Sequence, residues 1–252
     1  MEPWKQVPDV KLYSEPDGRC LVIDNESATS SLYVAHSARA DRYIYGIDHV
    51  TDSLLRRYFP DGDAGTRLNN AIVIDVGANI GEFTLAALAC GAEKIFAFEP
   101  DPAAYACLQL NTARFPHVCA MDVCLNAEDG PVDFYIATSN ADSSIIEPWS
   151  WSQTSVIEGR RLDGFQHVLE SIHDDRPLIL KVEAEGAEPE VLQGAERLLQ
   201  KKGKLFVTVR ASFERRGKST MPQCEEILNS HGLQLWRGAD GKQLLGERST
   251  GK

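Results

Sequence analysis

The sequence has no run approaching the roughly 18 consecutive apolar residues of a membrane-spanning helix. Its N-terminus, MEPWKQVPDV, has no basic start followed by an apolar stretch. Neither export nor a membrane span is expected, and the corresponding expectation for location is cytoplasmic. Positive charge is also scarce: 26 Lys and Arg against 37 Asp and Glu give a formal charge of −11. Binding a phosphate backbone relies on clustered cations that release counterions, so no nucleic-acid partner is expected. The one basic stretch, Arg210 to Lys218, is short and reads as a solvated loop. Six cysteines (Cys20, Cys90, Cys107, Cys119, Cys124 and Cys224) form no Cys-x-x-Cys pair, and no histidines cluster with them. A zinc site or a disulfide framework is therefore not indicated, and reduced, mostly buried thiols are expected. Internal repeats and low-complexity segments are missing as well.

What is present is a chain of 252 residues, 43% hydrophobic, enough to bury one large α/β core. Residues 10–35 hold short β-rich runs (KLYS, RCLVID, SLYVA) separated by turn signals, which predicts an antiparallel N-terminal cap. Ile47, Val50, Leu54, Leu55 and Tyr58 recur at helical spacing, and Pro60-Asp61-Gly62 stops that helix. From Ala71 the pattern is strand (AIVIDV), glycine turn (GANIG), helix (EFTLAALAC) and strand (KIFAFE), a βαβ unit on a buried parallel sheet. Asp101 and Pro102 open a second helix, and a third strand is expected around Val118 to Val123. PVDFYIA reads as an extra strand, and Thr138 to Arg160 as a polar loop carrying Trp149 and Trp151. Leu178 to Val182 is a central strand, followed by one helix from Pro189 to about Gly203, the strand LFVTV, the helix MPQCEEILNSHG and a terminal antiparallel hairpin.

The glycine turn decides the class of cofactor. Gly77 and Gly81 lie between strand and helix, where a missing Cβ lets the backbone approach a ligand. Glu99 ends the next strand about 20 residues later, the offset at which a carboxylate reaches both ribose hydroxyls. A pyrophosphate fingerprint starting at Gly77 requires glycine at 79 and 82, where the chain has Asn79 and Glu82. Asp75 repels a pyrophosphate but balances the ammonium and sulfonium of S-adenosylmethionine. The candidate cofactor-binding set is Asp75, Gly77, Ala78, Asn79, Gly81 and Glu99.

VIDVGANIGEFT, FEPD and LKVEAEGAEPEVLQGA together resemble the FkbM family of methyltransferases over about residues 71–235. The resemblance implies a Rossmann-like class I methyltransferase fold: a mostly parallel seven-stranded sheet with helices on both faces, here carrying the small antiparallel cap. Residues 1–68 would form the cap and its helix, and residues 69–252 the S-adenosylmethionine-dependent methyltransferase domain. It further implies O-methylation of a sugar, glycan or natural-product hydroxyl, and places Asp122 and Val123 near the adenine. A small-molecule or glycan acceptor is the expected partner, and a homodimer is compatible with these readings. N-methylation of a small amine or side chain, and a non-catalytic methyltransferase-like binding subunit, remain as alternatives.

Methyl transfer to a weakly acidic alcohol needs alignment above all, plus a group to take the proton. Glu183 and Glu185 lie at the C-terminal end of the central strand, where ligands sit in open α/β sheets, and read as sharing one side of an extended chain. They are the candidate catalytic residues; crowding with Glu188 is expected to raise at least one pKa, with Lys181 as a balancing charge. Glu188 itself reads better as favouring the next helix N-terminus. The family usually has Asp where this chain has Glu183, and often an acid where FVTV ends in Arg210. Arg210 therefore becomes a candidate acceptor clamp that repels a dication, so that no metal is expected. Ser143 and Ser144 are candidate glycan hydrogen-bonding residues with the two tryptophans as stacking surfaces, against a reading as ordinary loop residues. His36, His49 and His173 fall in no motif.

Overall fold

A computed structural model of the chain describes residues 10–137, 142–173 and 175–248. The N-terminal segment forms an antiparallel sheet of β1 (Val10–Ser14), β2 (Cys20–Asp24) and β3 (Ser31–Val34), then a 3-10 helix over Ser37–Tyr43, α1 (Ile47–Tyr58) and α2 (Ala64–Leu68). The main unit runs β4 (Ile72–Val76), α3 (Glu82–Ala89), β5 (Lys94–Phe98), α4 (Pro102–Thr112), β6 (Val118–Met121), β7 (Cys124–Leu125), β8 (Gly130–Ala137) and β9 (Trp151–Arg160). It continues through α5 (Gln166–Ser171), β10 (Leu178–Val182), α6 (Glu188–Gln193), α7 (Glu196–Leu199), β11 (Leu205–Arg210), α8 (Met221–Ser230), β12 (Gln234–Arg237) and β13 (Gln243–Arg248).

Seven strands form the central sheet in the order β6-β5-β4-β10-β11-β13-β12. All neighbours are parallel except β13, which runs antiparallel between β11 and β12. This is the expected α/β architecture. Its strands are apolar throughout because both faces are covered, and side chains alternate between the faces. Ile74, Phe96, Leu180 and Val207 pack with α5 to α8 on one side. Val73, Ile95, Ile179 and Phe206 pack on the other with α3, α4 and the N-terminal segment, whose Val22, Val34, Val50 and Leu54 join the same cluster. Strand order reverses between β4 and β10, and the crevice beyond their C-terminal ends is where such sheets take ligands.

Two expectations about elements need correction. The polar loop ends at Trp151, where β9 begins; β9 pairs antiparallel with β8 and, at its end, parallel with β7. Most of β9 is solvent-exposed, so it lacks the apolar alternation that marks a half-buried strand. Residues 138–141 of that loop lie outside the described residues. The single helix after β10 is instead α6 and α7, parted at Gly194 and Ala195. A Cβ on Gly194 would lie 2.1 Å from the Asn126 carbonyl oxygen. Asp163 then caps the second piece, accepting from the backbone N–H of Arg197 (2.7 Å) and Leu198 (3.1 Å).

Candidate active site

The crevice is a cleft of about 290 Å³. Its sheet-side wall is made of backbone. Gly77 (φ +67°), Asn79 (+51°) and Gly81 (+93°) turn the chain from β4 into α3 in left-handed conformations. The turn also presses against the neighbouring strand end: a Cβ on Gly77 would sit 1.8 Å from the Glu183 carbonyl oxygen. Glu99, just past β5, is 6% exposed and lines the cleft. It accepts from the N–H groups of Asn79 and Asp101, both at 2.8 Å. Burial pushes its carboxyl up to about 7 against the pull of those two donors. Asp101 caps α4 through the N–H groups of Ala103 and Ala104 and accepts from the Ser143 hydroxyl at 2.7 Å.

Asp75 is not at the cleft surface. It is fully buried under the turn, 3.0 Å from Lys181 Nζ and accepting from Thr84 Oγ1 at 2.7 Å. Lys181 in turn donates to the carbonyls of Val76 (3.1 Å) and Gly77 (2.8 Å). The pair braces the glycine turn from below, so Asp75 shapes the backbone there without lining the cleft, and the hydrogen bonds of Lys181 go to that turn and not to Glu183 or Glu185.

At the β10 end, Glu183 and Glu185 both line the cleft, although by a different path from the one expected. The strand stops at Val182, and Glu185 is left-handed (φ +48°), so a turn rather than an extended chain brings the two carboxylates together. Glu183 accepts from the Tyr58 hydroxyl and lies 3.5 Å from Arg57. The packing around Glu185, then the negative charges of Glu183, Asp142, Glu214 and Glu188, hold its carboxyl well above the usual range. Glu188 is fully buried and staples this turn, accepting from the N–H groups of Ala184 (3.1 Å) and Gly186 (3.0 Å) and from Thr220 Oγ1 (2.8 Å). Its carboxyl is pushed to about 7 by burial.

Ala78, Val123, Ser143 and Ser144 also line the cleft. Both hydroxyls have protein partners, Ser143 on Asp101 and Ser144 on the Ala184 carbonyl at 3.3 Å. Asp122 is exposed and is not part of the lining. Arg210 is also outside it: its guanidinium pairs with Asp240 in the turn before β13. The cation beside Glu183 is Arg57. Trp149 and Trp151 lie on the surface, 82% and 41% exposed, away from the cleft lining.

The remaining wall comes from the N-terminal segment, which no motif marked. His36, Arg39, Arg42 and Tyr43 from the 3-10 region and Arg57 and Tyr58 from α1 face the glycine turn. Tyr43, buried, donates its hydroxyl to Glu82 at the start of α3, and Arg42 lies 3.4 Å from the same carboxylate. The sequence signals for α1, its apolar spacing and the Pro60-Asp61-Gly62 stop, report the buried face and the helix end and not where the tips of Arg57 and Tyr58 meet the cleft.

The family model described as the methyltransferase FkbM domain matches residues 75–235. The chain belongs to the FkbM methyltransferase family. It is 30% identical over 145 residues to the hexuronic acid methyltransferase AglP of Haloferax volcanii, an alignment covering 57% of each protein. It is 25% identical over 195 residues to the 2-O-methyltransferase NoeI of Sinorhizobium fredii, covering 69% of this chain and 78% of that one. Among solved structures, the putative methyltransferase yhhF from Escherichia coli has a TM-score of 0.46 at 17% identity, covering 91% of this chain and 99% of that chain.

The FkbM family is one of S-adenosylmethionine-dependent methyltransferases, and the donor set of the cleft fits that cofactor. Each Glu99 oxygen keeps a lone pair beyond the one its backbone donor uses, enough for two vicinal hydroxyls. Gly77 lets the turn lie directly against the β10 end, and the carboxyl groups of Glu99, Glu183 and Glu185 line the same cleft. Among the described residues, no helix is long and apolar enough to cross a membrane.

Proposed function

We propose that this enzyme O-methylates a hydroxyl of a sugar or glycan. In this reading Glu99 holds the ribose hydroxyls, the turn of residues 77–81 lies against the cofactor, and Val123 lies beside the adenine. Bound S-adenosylmethionine supplies a methyl group on a positively charged sulfur, open to displacement by an oxygen nucleophile. The chain's own task is to align that oxygen and receive its proton. Glu183, gripped by Tyr58 and Arg57, orients the hydroxyl. Glu185, made more basic than an ordinary carboxylate by its surroundings, takes the hydroxyl proton in its ionised form as the oxygen–methyl bond forms and the methyl–sulfur bond breaks.

The observation that carries this reading is the pairing of a fixed carboxylate with a basic one at the β10 end of the cleft. An alcohol oxygen must shed its proton as the bond to carbon forms, and that basicity serves it there. The names of the two relatives, one acting on hexuronic acid and one a 2-O-methyltransferase, point the same way. Arg57 beside Glu183 takes over the argument that Arg210 no longer supports: a guanidinium there disfavours a dication on that carboxylate, and turnover is expected to survive excess chelator.

The test is transfer of labelled methyl from the cofactor to a panel of sugars, glycans and amines, with the methylated atom located by mass spectrometry and NMR. Methyl on oxygen is expected, and Glu183→Gln and Glu185→Gln should bind cofactor while turning over slowly. Methyl on nitrogen would overturn the reading. Cofactor binding with no transfer to any acceptor would favour a non-catalytic binding subunit.

A further inference from the structure

The cleft is acidic where β5 and β10 end and basic on the opposite side. Within a chain of net charge −11, residues 36–57 bring His36, Arg39, Arg42 and Arg57 to one wall. Arg42 and Arg57 each face an acid, Glu82 and Glu183. Arg39 and His36 do not: among the described residues neither side chain has a hydrogen bond or an ion pair, and both are partly withdrawn from water in the concave wall. Their position is fixed from behind. The Ser37–Tyr43 3-10 helix is anchored by the buried Tyr43, whose hydroxyl reaches Glu82, and the Arg42 guanidinium lies 5.8 Å from the Tyr43 ring centre. A guanidinium half-removed from solvent without a counter-ion costs free energy in the empty cleft and regains it when an anion arrives.

We propose that Arg39, supported by His36 and Arg42, forms a carboxylate-binding subsite on the N-terminal wall of the cleft. The planar fork of Arg39 matches a carboxylate in two parallel N–H···O bonds, a geometry that an ammonium or a hydroxyl ligand does not use. His36 adds a donor beside it. Arg42 keeps the local potential positive while remaining tied to Glu82, so the subsite is prearranged. Two molecules bring a carboxylate to this cleft: the cofactor, through its amino-acid end, and an acidic sugar acceptor. The first source needs only the cofactor assignment; the second also rests on the sugar reading proposed above.

Calorimetry on the full chain separates them. The probes are S-adenosylmethionine, its decarboxylated form, which keeps the amine and sulfonium, and glucuronate and glucose added to the complex with S-adenosylhomocysteine. Arg39→Gln removes no hydrogen bond or ion pair among the described residues, so its melting temperature should stay close to that of the wild type; His36→Gln serves as the second variant. Arg39→Gln should weaken the carboxylate-bearing member of one pair by about tenfold or more and leave its carboxylate-free partner within about twofold. Loss of S-adenosylmethionine affinity alone assigns the subsite to the cofactor. Loss of glucuronate affinity with S-adenosylmethionine unchanged assigns it to the acceptor. If both variants bind all four probes as the wild type does, the subsite does not exist. Failure of the sugar reading has a different signature: the wild type ignores both sugars while Arg39→Gln still loses S-adenosylmethionine.

Discussion

The two walls of the cleft hold their shape by different means. The wall of residues 75–101 is backbone: a left-handed turn pressed against the β10 end, braced by the buried Asp75 and Lys181 pair, with one carboxylate tied to two N–H groups. The wall of residues 36–58 is made of side-chain tips, Arg39, Arg42, Arg57 and Tyr58, standing on a 3-10 turn and one end of a helix. A backbone wall tolerates no added atom but is indifferent to what surrounds it. A side-chain wall accepts substitution without collapse and loses chemistry one group at a time.

The largest effect that separates the walls is expected at Gly77→Ala. With φ at +67° and the Glu183 carbonyl oxygen 1.8 Å from the new Cβ, the turn has to move, and the variant should lose about 3 kcal/mol or more of stability together with cofactor binding. Thermal melts and calorimetry read both, and a Gly77→Ala protein that keeps its cofactor affinity would dissolve the contrast.

Glu99→Ala comes next, weakening S-adenosylmethionine by about 2–3 kcal/mol if the carboxylate accepts both ribose hydroxyls. Its titration sharpens the point. The ordinary value of 4.5 rises to about 7 in the free protein, so the bound proton favours the folded state at low pH, and that contribution is lost as pH rises through 7. Ribose hydroxyls donate to the ionised form. Cofactor affinity should therefore fall as pH drops below 7, by about tenfold per unit, and Glu99→Gln should flatten the profile.

On the side-chain wall, Tyr58→Phe should leave cofactor affinity unchanged, cost about 1 kcal/mol of stability and slow turnover about tenfold by freeing Glu183. A cofactor affinity that falls with turnover would mean that this wall supports the cofactor cradle as well. The smallest effect is expected at Arg210→Gln. Its pairing with Asp240 is outside the cleft, so stability should change by under about 1 kcal/mol and cofactor binding not at all.

The same contrast explains what the sequence made legible. Backbone demands leave signatures: Gly77 and Gly81 at a strand-to-helix turn and Glu99 one strand later mark a cradle because few other residues satisfy that geometry. Side-chain convergence leaves none, since Arg39 and Tyr58 meet the site only after α1 docks beside α3. Arg210 falls outside the cleft lining because strand alignment places its Cα at the sheet end but does not say where its side chain turns. β13 pairs antiparallel with β11, and the turn preceding it brings Asp240 within reach. The break between α6 and α7 was hidden because it is imposed by the distant Asn126 backbone, and β9 because an exposed ribbon has no apolar rhythm.

Tyr58 is also held by chain that is synthesised long after it. Its hydroxyl meets Glu183, 125 positions on, and its carbonyl accepts from Thr208, 150 positions on, while Lys181 lies 5.5 Å from its ring centre. On a ribosome Phe83 of α3 can meet the rings of Tyr58 and Phe59 early, but their contacts with Lys181, Glu183, Phe206 and Thr208 wait until β10 and β11 have formed. Contacts of such sequence separation close late and slowly, because the loop entropy is lost before the contact returns anything. A nascent chain thus carries a sticky helix through most of its synthesis, the segment a chaperone would hold, and becomes an enzyme only as its last strands close the sheet.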